Sequence, residues 1–423
     1  MSNGIILSAP SSGAGKTTLT LGLLRALKQR GLAVRSAKSG PDYIDPRFHT
    51  AASGQDCINL DAWAMSADRI RGLASGVGPL IVEGAMGLFD GAPPDGKGAT
   101  ADLARQLHLP VVLVVEAARL SHSIAAIVAG FANFDPDIQI AGVILNKVGS
   151  ARHEAMLRRA LGPLGIPVLG AIPRSTGLSH PSRHLGLIQA DEHKDLESFL
   201  NAAAEIVSAH IDIDQLQTLF APIDQNERVL RHRPPAQTIA VAKDAAFGFC
   251  YPHSLADWRA QGAEINFFSP LGNEPAPKSE FIYLPGGYPE LHAGPLSSAH
   301  IFMESLRQAA DQNIWIYGEC GGYMTLGDGM IDANNERHEM AGLLRLETSF
   351  ASRKLHLGYR HLTGSHPLFD GNFYGHEFHY ASTLKASGKP LFKMSDAEER
   401  NPTTTGLQVG SVCGSYAHVI DPA

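Results

Sequence analysis

Residues 11–18 of this chain, Ser-Ser-Gly-Ala-Gly-Lys-Thr-Thr, have the types and spacing of a phosphate-binding loop. The two glycines allow successive backbone N–H groups to turn toward a polyphosphate. The lysine can reach the terminal phosphates, and the threonine after it can ligate Mg²⁺. The chemistry expected here is the binding of a nucleoside triphosphate with its magnesium ion. The predicted nucleotide-binding residues of the loop are Gly13, Gly15, Lys16, Thr17 and Thr18, and Thr17 is also a predicted magnesium ligand.

The segments on either side of this loop support the interpretation. Residues 4–8 are apolar and predict a strand, and Leu19, Leu23 and Leu27 recur at helical spacing after the loop. Pro10 stands where the usual pattern opens with glycine, which places the loop in a variant group. The alternative is a Gly/Ser turn that only caps a helix, but the strand before the loop favours the phosphate site.

Acidic side chains follow or end two further predicted strands. Asp42 and Asp45 come after one strand, and Glu83 ends another, with Asp90 in the glycine-rich segment beyond it. Ligands gather at the carboxyl ends of strands in open parallel sheets, so these carboxylates are candidates for holding Mg²⁺ or orienting a substrate. The alternative for Asp42 and Asp45 is a turn in which the Asp side chains make local hydrogen bonds.

Two other polar residues stand at predicted strand ends. Lys38 can neutralise phosphate, and the amide of Asn146 can bond a purine edge. Strands that alternate with helical patterns predict a doubly wound α/β domain. The predicted strands are residues 4–8, 34–38, 79–83, 111–116, 138–145 and 167–172. A helix at residues 196–209 and a linker at residues 221–237 follow.

The second half of the chain carries a candidate nucleophile. Cys320 lies in Gly-Glu-Cys-Gly-Gly, between an apolar strand and a helix, which is the thiol form of a nucleophile elbow. We expect the helix N-terminus to lower the pKa of the thiol. The N–H of Gly321, with that of Gly286 or Gly287, can hold a developing oxyanion. The alternative is a buried structural cysteine, but the flanking glycines favour the elbow.

The thiol requires a base, and three histidines near the C-terminus are candidates. They are His418, His376 and His379, and their sequence spacing does not choose among them.

Composition narrows the class of protein. The 423 residues carry a net charge of −7 without a basic patch, which argues against nucleic acid as the main partner. The longest apolar run, residues 109–115, is too short to span a bilayer. The first four residues do not begin a charged leader, and the four cysteines lack metal-ligand spacing. The sequence therefore predicts a cytoplasmic protein whose partners are small molecules, and it does not determine the oligomeric state, so a homo-oligomer is compatible with it.

Together the motifs resemble one family nearly end to end. The chain is similar to the cobyrinate or hydrogenobyrinate a,c-diamide synthases, glutamine amidotransferases of corrinoid biosynthesis. Besides the phosphate loop, the motifs that carry the resemblance are Gly-Pro-Asp-Tyr-Ile-Asp-Pro at 40–46, Glu-Gly-Ala-Met-Gly-Leu-Phe-Asp-Gly at 83–91, Ser-Arg-His-Leu-Gly-Leu at 182–187, Leu-Pro-Gly-Gly-Tyr-Pro-Glu at 284–290, Gly-Glu-Cys-Gly-Gly-Tyr-Met at 318–324 and Gly-His-Glu-Phe-His-Tyr at 375–380.

The resemblance implies two domains joined by a helix and linker at residues 196–237. Residues 1–195 would form an ATP- and corrinoid-binding synthetase domain similar to dethiobiotin synthetase, and residues 238–423 a class I glutamine amidotransferase domain. The implied site residues are Thr17, Asp45 and Glu83 for Mg²⁺, Asp42, Tyr43, Ile44 and Asp90 for the corrinoid, Cys320 as nucleophile and His418 as base. For the oxyanion, the elbow motif itself predicts Gly287 with Gly321.

The resemblance also has one departure. Class I domains usually place Glu two residues after the histidine, but here that residue is Ile420, so the third member of the triad is missing or comes from elsewhere.

The implied function is the amidation of the a and c carboxylates of (hydrogeno)cobyrinic acid, with ATP and glutamine, in cobalamin biosynthesis. The alternatives are amidation of another tetrapyrrole, as in cobyric acid synthase or in nickel-sirohydrochlorin diamidation, and an ATP-driven switch like the partition ATPases. Cobyric acid synthase lacks the Pro-Asp-Tyr-Ile-Asp-Pro pattern, and a switch has no use for the Cys320 elbow.

Overall fold

The computed structural model describes residues 2–174, 195–224 and 231–423, and the chain divides into two compact units. The N-terminal unit is Met1–Leu230 and the C-terminal unit is Arg231–Ala423. The motif at residues 182–187 lies outside the described residues.

A parallel sheet forms the centre of the N-terminal unit. In its described part the strand order is β3-β2-β4-β1-β5-β6-β7, and the short β8 pairs antiparallel with β1. Strands such as Val111–Glu116 are near-continuous apolar runs because both faces of a parallel sheet are covered. The strands are β1 (Ser2–Ser8), β2 (Arg35–Ser39), β3 (Ile58–Leu60), β4 (Gly78–Glu83), β5 (Val111–Glu116), β6 (Ile140–Val148), β7 (Val168–Pro173) and β8 (Ala221–Pro222).

Helices connect these strands. The chain leaves β1, turns through the phosphate loop and enters the first helix at Lys16. The last long helix of the unit packs on that first helix, where Arg25 donates to both Glu197 and Asn201. The helices are α1 (Lys16–Gln29), α2 (Asp45–Ser53), α3 (Ala67–Ala74), α4 (Thr100–Leu107), α5 (Ile124–Phe134), α6 (Ala151–Leu161), α7 (Leu196–His210) and α8 (Ile213–Thr218).

The predicted strands of this unit form, and the structure adds to them. The pattern missed β3, which is only three residues long, and β8. β6 runs on to Val148, so Asn146 and Lys147 lie inside the strand instead of following it. The predicted doubly wound α/β fold is confirmed, because the parallel strands and their helices extend outward from β1 in both directions.

The C-terminal unit is built on a second sheet, in the order β10-β9-β11-β12-β22-β21. The strands pair in parallel except β21, which pairs antiparallel with β22. The strands of this sheet are β9 (Thr238–Ala242), β10 (Glu264–Phe268), β11 (Phe281–Leu284), β12 (Trp315–Glu319), β21 (Leu407–Val409) and β22 (Val412–Ser415). The helices are α9 (Pro252–Ala260), α10 (Ala293–Ser297), α11 (His300–Asp311) and α12 (Gly321–Thr325).

Two smaller sheets complete the described part of this unit. One has the order β14-β13-β15-β18 and the other β20-β19-β16-β17-β23. Their strands are β13 (Gly329–Ile331), β14 (Arg337–Glu339), β15 (Arg345–Ser349), β16 (His356–His366), β17 (Phe369–His379), β18 (Ser382–Ser387), β19 (Phe392–Asp396), β20 (Thr403–Thr405) and β23 (His418–Pro422).

We find no helix in the described ranges that is both long and apolar enough to cross a membrane.

Candidate active site

The phosphate loop has the backbone that its sequence predicts. Gly13 and Gly15 have φ of 80° and 87°, in the left-handed region that favours glycine, and α1 begins directly after them. The Lys16 ammonium contacts the carbonyls of Met86 and Ser11. Burial lowers the pKa of Lys16, although the Glu83 carboxylate opposes this. Thr18 is half-buried in the first turn of α1.

Asn146 supports this loop from β6. Its amide nitrogen donates to the Ala14 carbonyl at 2.8 Å, and a Cβ atom on Gly15 would lie only 2.3 Å from that nitrogen. Gly15 therefore lets the amide approach the loop backbone. Contact with a purine base remains a prediction for Asn146.

The predicted magnesium ligands meet at the carboxyl ends of β1, β2 and β4. Thr17 Oγ1 lies 2.6 Å from Glu83 Oε1 and 3.4 Å from Asp45 Oδ2. A hydroxyl and two carboxylates are the hard oxygen donors that Mg²⁺ prefers, so the donor set fits this ion.

Lys38 lies between the same two carboxylates. Its ammonium is 2.6 Å from Asp45 Oδ2 and 2.7 Å from Glu83 Oε1. Burial alone would lower the pKa of Lys38, but the two carboxylates outweigh it and raise the pKa. The same contact lowers the pKa of Glu83 against the effect of burial. A lysine charge therefore neutralises the predicted metal ligands in this structure.

Sequence reasoning missed His49, which fixes the other oxygen of Glu83. His49 Nε2 is 2.7 Å from Glu83 Oε2, and His49 Nδ1 is 3.4 Å from the Cys57 sulfur. Burial opposes a charge on His49, but Cys57 and Glu83 outweigh it and raise the pKa of His49 to about 10. The available signal was its position on α2, one turn after Asp45 and on the same face.

The residues predicted for the corrinoid come from two separate loops. Asp42, Tyr43 and Ile44 form the turn before α2, where Asp42 Oδ1 accepts the N–H groups of Ile44 at 2.8 Å and Asp45 at 3.2 Å. This is the local hydrogen bonding of the alternative interpretation. Burial and the neighbouring Asp45 carboxylate raise the pKa of Asp42 to about 6.

Asp90 belongs to the loop after β4. It is exposed and accepts the Gly87 N–H at 2.8 Å. Its carboxylate also acts on Lys16, whose pKa it raises against the larger effect of burial.

Cys320 occupies the strained elbow that its motif predicts. The residue has φ 46° and ψ −101°, between β12 and α12, and its N–H donates to the Ser415 carbonyl at 2.8 Å. The neighbouring glycines are sterically required, since a Cβ on Gly322 would lie 1.9 Å from the Leu284 carbonyl oxygen. The tight turn is therefore encoded by small residues.

The expectation of a lowered thiol pKa is wrong for this structure. Cys320 is only 3% exposed, and burial raises the pKa of its thiol well above the usual range, with a further contribution from the Glu290 carboxylate. The hydrogen bond from the Gly321 N–H opposes the rise but is weaker. The helix after the thiol has only five residues, so its dipole is small.

His418 is the candidate base that lies beside Cys320. A Cβ atom on Gly286 would be 2.3 Å from His418 Cε1, 3.0 Å from His418 Nε2 and 3.3 Å from Cys320 Cβ. The imidazole and the nucleophile therefore border the same small space. His379 instead stacks on Tyr416, with ring centroids 4.3 Å apart, and His376 contacts Tyr359 edge-on.

The other two candidate histidines, besides contacting other rings, are poor bases. Burial lowers the pKa of His376 and of His379 to about 3. A group that binds a proton so weakly takes one from a thiol inefficiently.

The predicted oxyanion residues are neighbours. A Cβ atom on Gly321 would lie 3.1 Å from the Gly287 nitrogen. Gly286, the alternative to Gly287, has a backbone hydrogen bond to another segment: its carbonyl accepts the Phe249 N–H at 2.8 Å.

A carboxylate that sequence reasoning did not assign lies behind His418. Glu319 Oε2 is 3.4 Å from His418 Nδ1, and both residues are buried. The available signal was its place in the motif, immediately before the nucleophile.

Each of the two units matches a known family model. Residues 5–188 match the CobQ/CobB/MinD/ParA nucleotide binding domain, and residues 238–421 match the CobB/CobQ-like glutamine amidotransferase domain. Proteins named hydrogenobyrinate a,c-diamide synthase match nearly the whole chain. That of Brucella anthropi is 57% identical and aligned over 99% of this chain and 98% of its own length. That of Rhizobium meliloti is 50% identical over 99% of each chain.

Such identity over nearly the full length, together with a phosphate loop and a cysteine elbow in one chain, establishes kinship. The chain belongs to the hydrogenobyrinate a,c-diamide synthase family of glutamine-dependent, amide-forming ligases.

Proposed function

We propose that this enzyme uses ATP and glutamine to amidate the a and c side-chain carboxylates of a cobyrinic acid, in cobalamin biosynthesis. The observation that carries the proposal is the pairing of Cys320 with His418 at an elbow in a chain that also has a phosphate loop. The relatives are named for hydrogenobyrinate, which favours the metal-free corrinoid as substrate.

The N-terminal unit activates the carboxylate. A substrate carboxylate oxygen attacks the terminal phosphorus of ATP, ADP departs, and the acyl phosphate has a good leaving group. Phosphoryl transfer asks for positioning and charge neutralisation, which Lys16 and the loop N–H groups supply. Thr17, Asp45 and Glu83 are the residues that would hold Mg²⁺, and Lys38 would leave the two carboxylates for the phosphates. Bound Mg²⁺ supplies further positive charge at the phosphates.

The corrinoid is assigned to the two loops beside that site. Asp42, Tyr43 and Ile44 on one side and Asp90 on the other are proposed to hold the substrate edge that carries the reacting carboxylate. Asn146 is proposed to contact the purine through its amide oxygen, which also accepts the Lys147 N–H at 2.9 Å.

The C-terminal unit supplies ammonia. His418 takes the thiol proton, the Cys320 sulfur attacks the amide carbon of glutamine, and the C–N bond breaks as the proton passes to the leaving ammonia. The N–H groups of Gly287 and Gly321 stabilise the tetrahedral oxyanion. Water then cleaves the thioester and releases glutamate. Ammonia attacks the acyl phosphate, phosphate departs and the amide forms. The cycle occurs once for each carboxylate.

The decisive experiment separates the two nitrogen sources. Cys320→Ala should lose glutamine-driven diamide formation but keep synthesis with ammonium salts at raised pH, because the acyl phosphate forms without the thiol. Mass spectrometry of products from metal-free and from cobalt-loaded cobyrinic acid reports both the number of amides and the preferred substrate. A folded Cys320→Ala protein that is inactive with both nitrogen sources would contradict the proposal, as would amidation of neither corrinoid by the unaltered enzyme.

A further inference from the structure

We propose that Glu319 is the positioning residue of the glutaminase site: its carboxylate holds the His418 ring through Nδ1, which leaves Nε2 to take the Cys320 proton. The inference rests on the proposed function, in which Cys320 and His418 release ammonia from glutamine. It concerns the third group that this chain lacks two residues after the histidine.

The carboxylate of Glu319 is held on both oxygens. Oε2 accepts the Tyr283 hydroxyl at 2.7 Å and lies 3.4 Å from His418 Nδ1. Oε1 accepts the Tyr317 hydroxyl at 3.0 Å and the Val419 N–H at 3.1 Å. Glu319 is 4% exposed and His418 is 1% exposed. The three hydrogen bonds fix the carboxylate at a position 3.4 Å from the imidazole nitrogen.

The donors around Glu319 indicate that it is ionised. A carboxylate accepts without donating, and three N–H or O–H groups are directed at this one. Burial and the Glu319 charge raise the pKa of both Tyr283 and Tyr317, so the two phenols remain neutral donors. An ionised carboxylate favours the His418 tautomer with its proton on Nδ1 and stabilises the imidazolium that forms during attack.

Strand pairing explains how the residue before the nucleophile reaches the base. Side chains alternate along β12, so Tyr317 and Glu319 share the face that Tyr283 also occupies. Glu319 pairs in register with Ser415 of β22, and β23 begins at His418, three residues later. Ile420 is buried at 1% exposure but offers no polar atom. The position two residues after the histidine is therefore apolar, and the carboxylate stands instead at Glu319, immediately before the cysteine.

The test measures glutamine-driven turnover of the full chain in Glu319→Gln, which keeps the size of the side chain and removes its charge. We expect kcat to fall by roughly 10²–10⁴-fold, as for removal of the acid that orients a catalytic histidine. The KM for glutamine should stay within about threefold, because Glu319 acts on the transition state and not on substrate binding. Glu319→Asp, which keeps the charge, should recover at least about tenfold in kcat over Glu319→Gln.

A double-mutant comparison distinguishes positioning from a structural role. Glu319→Gln combined with His418→Ala should be no slower than His418→Ala alone, since both changes remove the same function. Additive losses would overturn the proposal. Ammonia-driven synthesis and Tm report whether each variant is folded. Glu280→Gln is the matched control: Glu280 accepts N–H groups beside β9 at the opposite end of the same sheet, and its loss should leave kcat unchanged.

The remaining outcomes are also decisive. If Glu319→Gln alone keeps a kcat within about threefold of the unaltered enzyme, the proposed function stands and the positioning role is overturned. If His418→Ala keeps glutamine-driven turnover, His418 is not the general base that the proposed function requires. The positioning role of Glu319 is then overturned as well. If Glu319→Gln does not fold, Tyr283→Phe removes only the hydroxyl on the oxygen that faces His418. It should lower kcat by about three- to tenfold, and an unchanged kcat would overturn the proposal.

Discussion

Two lysines at the same end of the N-terminal sheet differ in the groups that their ammonium nitrogens contact. Lys38 contacts the carboxylates of Asp45 and Glu83, which raise its pKa against burial. Lys16 contacts backbone carbonyls, and burial lowers its pKa. A polyphosphate would supply the charge that the immediate contacts of Lys16 lack. At the residue scale, Lys16 is therefore available to a phosphate as it stands, whereas Lys38 must first leave the carboxylates of Asp45 and Glu83.

Lys16→Ala tests this assignment. We expect diamide formation to be lost with glutamine and with ammonium salts alike, because no acyl phosphate forms without the charge on the terminal phosphates. Glutamine hydrolysis by Cys320 should persist, and its release of glutamate is the internal control for an intact protein. Turnover at the unaltered rate with either nitrogen source would remove the loop from the reaction.

At the scale of elements, the packing of α7 on α1 depends on one glycine. A Cβ atom on Gly22 would lie 2.6 Å from Val207 Cγ2 and 2.7 Å from the Ala203 carbonyl oxygen. Both helices are amphipathic, and Arg25 joins their polar edges through Glu197. The helix at the start of the segment 196–237 therefore packs as part of the N-terminal unit.

A pair of helical glycines tests this packing. Gly22→Ala should lower the free energy of unfolding by about 1–3 kcal/mol, because the methyl group overpacks the helix contact. Gly130→Ala in α5 is the matched control: its Cβ meets nothing within 4 Å, so the better helix propensity of alanine should raise the free energy by up to about 1 kcal/mol. Urea unfolding of both variants gives the comparison. A stabilising Gly22→Ala would mean that α7 does not pack on α1 as described.

At the scale of the whole molecule, two neutral histidines, one buried and one half-buried, make the C-terminal unit sensitive to acid. Burial lowers the pKa of His376 and His379 to about 3, and the nearby His418 and Arg360 add to this. His356 also faces His379. The unfolded chain binds protons at these residues near their ordinary value of 6.5. Stability is therefore fully present above about pH 6.5 and declines as the pH falls toward 3.

Replacing these histidines should flatten that decline. Each histidine contributes on the order of 1 kcal/mol per pH unit within the window, so His376→Gln and His379→Gln should each reduce the slope of unfolding free energy against pH. The measurement is urea unfolding in a Trp63→Phe background, which leaves Trp258 and Trp315 to report on the C-terminal unit. His300→Gln, an exposed histidine of the same unit, is the control. An unchanged slope in both test variants would contradict the account.

Local patterns in the sequence determined the chemistry and much of the architecture. The strand at Val111–Glu116 was predicted to the residue, because apolar runs bounded by turns specify buried strands. The phosphate loop and the cysteine elbow were predicted from their glycines. In the structure these glycines have a positive φ or a close contact that leaves no space for a side chain. These features depend on neighbours in the chain, which a sequence displays directly.

Only the tertiary structure decided which distant groups meet. His376 and His418 are cross-strand partners in β17 and β23, so both imidazoles lie near the site. Only His418 of these two is among the nearest neighbours of the space beside Gly286, which Cys320 also borders. The insertion of Lys38 between two acids and the place of Glu319 behind His418 likewise depend on strand register. The pKa of Cys320 depends on burial, which overrides its position before a helix. Register and burial are properties of the packed molecule, and spacing along the chain does not contain them.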